Sequence, residues 1–157
     1  MRIDIHHHYN AAPATVRAML ADPAFWQYAL ADQVEQFEAD PIPDGLSMKL
    51  GVPAPSQLKA FTSDTLAFTL QATWQQEGTD TWTGPIVIDA GKLPGSFSGA
   101  TTISPSDGGT DVAYTGDFTI RVPLIGKSIE QKALPYMTSV LDGQQAKGTA
   151  WLADHAY

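Results

Sequence analysis

The sequence predicts an α+β fold in which a curved antiparallel sheet of about seven strands is covered by one long C-terminal helix. Two observations carry this prediction. Short segments of alternating apolar and polar residues follow one another at tight turns, which is typical of antiparallel strands. The last of them, Asp111 to Val122, leads directly into an amphipathic segment that ends near His155. A strand followed by a helix of similar length predicts a helix that crosses the sheet from end to end, because both would span about 40 Å.

The chain opens with one strand and two short helices. Arg2 to Tyr9 alternates apolar and polar positions, which predicts a strand with one buried face. Pro13 suits the first turn of a helix over Ala14 to Ala21, and Asp22 is a suitable N-cap for a second helix. We therefore expect a V-shaped helix pair directly after the first strand.

The middle of the chain supplies the remaining strands, which are separated by turn dipeptides rich in glycine and proline. One interruption, Pro53 to Phe61, is predicted to form a single helical turn. The short connections predict an antiparallel sheet with one solvated face. The predicted strands after the first cover residues 34–39, 46–52, 66–74, 82–88, 97–103 and 111–122.

The C-terminal segment is predicted to be a helix from Ser128 to His155 with two adjacent apolar rows. Pro135 removes one main-chain hydrogen bond and predicts a kink. Both rows break between Gly143 and Gly148. This stretch has two interpretations: it faces a void or an entrance, or it is a frayed part of the helix over a shallow edge of the sheet.

Composition limits the classes of function. The 157 residues suit one domain, residues 1–157, and an apolar fraction of 43% is that of a globular protein. The net charge of -8, with scattered lysines and arginines, disfavours binding to nucleic acid or to an anionic membrane. The absence of cysteine excludes disulfides and thiolate chemistry. No stretch predicts membrane insertion or a signal peptide, so we expect a cytoplasmic protein.

Four stretches of the chain carry a resemblance to a known superfamily. They are Ala12 to Phe25 at the helix pair, Pro94 to Gly99 at a turn and strand, Val122 to Glu130 at the junction into the last helix, and Gly148 to Leu152 near the end. The chain resembles the START-like (SRPBCC, helix-grip) superfamily over its whole length. It is most similar to an uncharacterised bacterial START-like family, a domain of unknown function.

The resemblance implies a helix-grip fold that binds a small apolar or amphipathic molecule, such as a lipid, a polyketide or an aromatic compound, between the sheet and the last helix. It implies no cofactor, and it transfers no catalytic residue to this chain. Two alternatives stay open: a cyclase- or hydrolase-like enzyme that uses the same cavity, and a protein-interaction module without a ligand. The chain is expected to be a monomer or a homodimer.

The candidate cavity-lining residues are apolar or aromatic side chains on the inward faces of the predicted elements, of the kind that forms small-molecule pockets. Three of them have polar tips, and for His7 the competing interpretation is a buried structural histidine. As a proton-transfer group, His7 or Tyr114 would serve the enzyme alternative. The candidates are His7, Trp26, Met48, Leu50, Phe68, Leu70, Trp82, Phe97, Tyr114, Phe118, Tyr136, Met137 and Val140.

Two polar sets are interpreted as solvent-facing surface. His6 and His8 share a strand face with Asp4 and could hold a metal, but Arg2 on the same face favours exposure to solvent. No metal site is therefore predicted. The acidic residues of the second set fall on both faces of a weak strand and in a turn, and they are Asp32, Glu35, Glu38, Asp40 and Asp44.

Overall fold

The structure, a computed structural model, describes residues 1–54, 56, 59, 64–91 and 94–157, without the side chains of Tyr136 and Met137. The helical turn predicted between Pro53 and Phe61 lies largely outside the described residues. The elements of the described part are, in chain order, β1 (Arg2–Tyr9), α1 (Pro13–Leu20), α2 (Pro23–Leu30), β2 (Gln36–Ile42), β3 (Gly45–Pro53), β4 (Thr65–Thr73), β5 (Gln75–Gln76), β6 (Trp82–Asp89), β7 (Gly95–Ser106), β8 (Gly109–Ile120) and α3 (Gly126–Asp154).

The strands form one antiparallel sheet in the order β1-β8-β7-β6-β4-β3-β2, and β5 pairs with β6 beside this path. The predicted α+β class is confirmed. The sequence predicted seven strands, and the described part of the structure has one more, β5, which was not predicted because Gln75–Gln76 is too short to show an alternating pattern. β2 continues through Asp40-Pro41 to Ile42, where the sequence predicted a turn, because this strand lies at the edge of the sheet and an edge strand tolerates proline.

Each short helix starts with proline at its first turn. The Asp22 carboxylate caps α2 by accepting a hydrogen bond from the Ala24 amide at 2.9 Å, as predicted. The indole Nε1–H of Trp26 donates to the carbonyl of Leu20 at 2.7 Å, which ties α2 to the end of α1. The pair packs its buried faces, including Met19 and Phe25, into the main apolar core.

The alternation of β1 predicted its two faces correctly. Ile3, His7 and Tyr9 are buried, whereas His6 and His8 on the other face are exposed. β1 pairs along its whole length with β8, so its inward side chains lie beside those of the last strand. The inward face of β1 therefore belongs to the same interior as the predicted cavity.

Helix α3 extends from Gly126 to Asp154 and continues through Pro135 without a break in helical structure. Its first turns are fastened to β8 by Glu130, whose buried Oε1 accepts a hydrogen bond from the Ile120 amide at 2.8 Å. At its other end the Tyr157 hydroxyl donates to the Asp22 carboxylate at 2.6 Å. Within the described part of the chain, no helix is both long and apolar enough to cross a membrane.

Candidate ligand cavity

An apolar cavity of about 220 Å³ lies between the sheet, the helix pair and α3. Its wall is built mainly from inward-facing strand residues, and α3 contributes its middle turns. The lining residues are Ile3, Leu20, Trp26, Leu30, Gln33, Val34, Leu46, Met48, Leu50, Val52, Phe68, Leu70, Ala72, Trp74, Ile86, Ile88, Phe97, Thr101, Tyr114, Thr115, Val140, Leu141 and Gln144.

The floor of the cavity is a rung of cross-strand neighbours. Met48 on β3 pairs with Leu70 on β4, Leu70 pairs with Ile88 on β6, and Ile88 pairs with Phe97 on β7. Directly opposed residues point to the same face of a sheet, so this rung presents four apolar side chains side by side. Leu50 and Phe68 form a second opposed pair on the same face.

Most of the predicted cavity residues that can be placed lie in this wall. Their role in binding stays a prediction, and the side chains of Tyr136 and Met137 lie outside the described part of the structure. The predicted residues found in the wall are Trp26, Met48, Leu50, Phe68, Leu70, Phe97, Tyr114 and Val140.

Three predicted residues, His7, Trp82 and Phe118, are not among those that line the cavity. Trp82 packs against the main core, and Phe118 packs against the small cluster of Ile120, Val122 and Ile129 under the start of α3. Both have the inward orientation that the alternation predicts, and both are half-buried against these clusters outside the cavity wall.

Other wall residues were missed by the sequence. Trp74 and Ala72 continue the alternation of β4, and Leu141 belongs to an apolar row of α3, so the pattern could have identified them. Gln33 and Gln144 carry no comparable signal, because they are polar residues at breaks in the apolar pattern.

His7 is buried beside the cavity. Only 2% of its surface is exposed, and its ring packs edge-on to Tyr114 with 5.3 Å between the centroids. Neither ring nitrogen has a hydrogen-bond partner among the described residues. Because His7 is not part of the wall, the alternative in which it transfers protons to a ligand loses its geometric basis.

Burial lowers the pKa of His7 below its ordinary value of 6.5, an effect that the Asp142 charge partly opposes. Below pH 6.5 the unfolded chain therefore binds a proton that the folded chain excludes, and this contribution to stability is lost as the pH falls. We expect the free energy of unfolding to decrease from pH 7 to pH 5, and His7→Phe to reduce that slope. Urea unfolding at several pH values measures both. An equal slope in the two proteins would contradict this account.

Tyr114 is the polar-tipped residue that does line the cavity. Its hydroxyl accepts a hydrogen bond from Gln144 Nε2 at 3.0 Å, and both groups are buried. Burial raises the pKa of the Tyr114 phenol well above 10, although the hydrogen bond from Gln144 opposes the shift. The phenol is therefore neutral at physiological pH. Its hydrogen bond with Gln144 joins α3 to the centre of β8.

The wall also contains polar atoms without partners among the described residues. They are Gln33 Oε1, Trp74 Nε1 and Thr101 Oγ1, all buried. Thr101 is opposed by Tyr114 on one side and by Gly84 on the other. The surface that the wall presents to the cavity is nonetheless almost entirely apolar, so these atoms are packed away from the open space.

The exposed histidines each pair with one carboxylate. His6 Nε2 lies 3.0 Å from Asp4, and His8 Nδ1 lies 2.8 Å from Asp111. The hydrogen bond from His8 lowers the pKa of the Asp111 carboxyl. No group of three or more histidines and carboxylates suited to a metal occurs among the described residues. The predicted acidic surface residues are exposed, and they are Asp32, Glu35, Glu38, Asp40 and Asp44.

The stretch of α3 from Gly143 to Gly148 is closely packed at Gly148 and loosely packed at Gly143. A Cβ atom at Gly148 would lie 2.7 Å from Cε1 of Tyr9, so the helix there is in close contact with β1. At Gly143 the nearest group is Gln33 Nε2, 3.9 Å from a Cβ atom. Because of this contact there is no opening at Gly148, and the prediction that the stretch faces a void or an entrance is wrong at this residue. Gly143 lies beside Gln33 and Gln144, which both line the cavity.

The chain is similar to known proteins in sequence and in fold. A family model described as a protein of unknown function (DUF2505) matches residues 4–152. No curated protein matched the sequence. Among solved structures, the protein TTHA0849 from Thermus thermophilus is similar with a TM-score of 0.71 and 16% identity, over 97% of this chain and 99% of the other.

Two further structures share the architecture. The Zhui aromatase/cyclase from Streptomyces sp. R1128 has a TM-score of 0.66 and 13% identity, over 97% of this chain and 95% of that one. The STAR-related lipid transfer protein from Xanthomonas axonopodis has a TM-score of 0.64 and 17% identity, over 94% and 85%. At these identities the likeness shows the helix-grip fold, as the sequence predicted.

Proposed function

Since the chain belongs to the DUF2505 family of proteins of unknown function, we propose, from its interior, that it binds a small apolar or amphipathic molecule between the sheet and α3. The observation that carries the proposal is the apolar cavity. Protein interiors are normally close-packed. Apolar side chains around unfilled space lose contacts with neighbouring atoms, so leaving a cavity of this size empty is unfavourable. A bound apolar molecule would offset that cost.

The fold of the neighbours supports the same proposal by analogy. One neighbour is named for lipid transfer and another is an aromatase/cyclase. A fold alone does not determine a function, so the analogy supports the class of ligand and no reaction. The cavity of this chain carries the argument independently of those names.

Native mass spectrometry of protein purified under mild conditions tests the proposal directly. We expect a bound small molecule to appear as a mass increment that is lost on denaturation. Titration with alcohols, fatty acids, naphthalene and cholesterol should change the tryptophan fluorescence, because Trp26 and Trp74 lie in the wall. A protein that purifies without an increment and binds none of these compounds would contradict the proposal.

Filling the cavity should abolish binding. Val140 is a half-buried wall residue on α3, and Val140→Phe places an aromatic ring into the space that the ligand would occupy. We expect at least tenfold weaker binding of naphthalene and 1-octanol in calorimetric titration. The matched control is Val87→Phe on the outer face of β6, where valine is 55% exposed. Equal affinities of the two variants would place the binding site elsewhere.

A further inference from the structure

We infer that the natural occupant is an uncharged molecule whose buried part is an apolar body of about eight to ten carbon atoms. This inference rests on the proposed function. It narrows the class of ligand from lipids and polycyclic compounds in general to a medium-length chain or a fused pair of rings. Three properties of the site carry it: the volume of the cavity, the chemistry of its wall and the charges beside Gly143.

The volume sets the size of the buried part. An apolar void of about 150 Å³ accepts benzene, which has six carbon atoms. In the same proportion, a cavity of 220 Å³ accepts about nine carbon atoms. A sterol with four fused rings, or an extended chain of 16 carbon atoms, would not be enclosed as a whole, and its remaining part would project into solvent unless the wall moved outward.

The wall determines that the buried body is apolar. Gln144 and Tyr114, the two polar side chains that meet at the wall, are hydrogen-bonded to each other at 3.0 Å. Thr101 Oγ1 and Trp74 Nε1 are buried and packed away from the open space. A polar ligand group placed inside would lose its hydrogen bonds to water and gain none in return, which is unfavourable.

The side of the cavity near Gly143 disfavours an anionic head group. Gln33 lines the cavity and faces Gly143. Asp32 directly precedes Gln33 in the sequence, Asp142 directly precedes Gly143, and both carboxylates are exposed. Lys147 donates to the carbonyl of Ala29 at 2.9 Å and lies 3.7 Å from Asp32, so it offsets the charge of that carboxylate and leaves Asp142 without a compensating charge among the described residues there. A ligand head at this place meets one net negative charge, which disfavours carboxylates and phosphates.

The test is a calorimetric titration of the full chain with linear alcohols from 1-hexanol to 1-hexadecanol, and with naphthalene, octanoate and cholesterol. We expect affinity to rise about fourfold per carbon atom up to about eight to ten carbons and then to stop rising. Octanoate at pH 7.5 should bind at least tenfold more weakly than 1-octanol. Tightest binding of 1-hexadecanol or cholesterol would overturn the size limit, and equal binding of octanoate would overturn the charge argument.

Thr101→Val tests the apolar body, because valine has the shape of threonine without its hydroxyl. We expect the variant to change the affinities for 1-octanol and for naphthalene by the same factor, to within twofold. A tenfold loss for 1-octanol alone would show that its hydroxyl reaches Thr101, which overturns the inference and keeps the proposed function. If no compound binds either protein, both the inference and the proposed function fail, so the two failures are distinguishable.

Discussion

Replacing Gly148 by alanine is expected to lower the free energy of unfolding by about 1–2 kcal/mol, although alanine is the better helix former by about 1 kcal/mol. The added Cβ atom would lie 2.7 Å from Cε1 and 3.1 Å from the hydroxyl oxygen of Tyr9. Tyr9 is only 1% exposed and cannot move without displacing the main core. The steric penalty therefore exceeds the gain in helix propensity.

The same substitution at Gly143 is the matched control. A Cβ atom there would meet nothing closer than Gln33 Nε2 at 3.9 Å. We expect Gly143→Ala to raise the free energy of unfolding by roughly 0.5–1 kcal/mol. Urea unfolding of both variants measures the difference. If the two changes have the same sign, the close contact between α3 and β1 is not the reason for glycine at position 148.

Removing the Glu130 side chain is expected to cost about 2–3 kcal/mol of stability. Its carboxylate accepts a hydrogen bond from the buried amide of Ile120 at 2.8 Å, and Glu130→Ala would leave that amide without a partner. The contact joins the last residue of β8 to the first turns of α3, so its loss should also loosen the start of the helix. Amide exchange at Ile120 should become faster.

Glu130→Gln separates hydrogen bonding from charge. Glutamine keeps an acceptor oxygen at the same distance from the backbone, so we expect a smaller loss than with alanine, on the order of 1 kcal/mol. Chemical unfolding and hydrogen exchange read out both variants. Equal destabilisation by glutamine and alanine would assign the effect to the negative charge of Glu130. An alanine variant as stable as the unmodified chain would show that the hydrogen bond from the Ile120 amide to Glu130 does not stabilise the protein.

The sequence predicted the architecture well because its signals are local. Alternation along Arg2–Tyr9 determines which side chains of β1 share a face. Asp22, directly before Pro23, determines where α2 begins. Both signals act over only a few residues of the chain. The same alternation places Met48 and Leu70 on the inward face, and the register then puts them side by side. Six of the eight predicted residues found in the wall are strand residues that this alternation places there, and the other two, Trp26 and Val140, lie on helices α2 and α3.

The residues that the sequence misjudged depend on distances between elements far apart in the chain. His7 and Phe118 face inward as predicted, yet neither lines the cavity, because Tyr9 and Tyr114 pack against His7 and a small apolar cluster packs against Phe118. Gln144 shows the reverse case. Its polarity breaks an apolar row of α3, but Tyr114 on β8 gives it a hydrogen-bond partner within the interior.

The sequence by itself determined the order of the helices and longer strands, the faces of those strands and the presence of one long helix over an antiparallel sheet. These depend on periodicity and on capping, which act over a few residues. Only the tertiary structure decided where space remains between the layers, and that Gly148 lies in close contact with Tyr9 whereas Gly143 does not. The physical reason is that packing depends on the shape and volume of side chains brought together from distant parts of the chain.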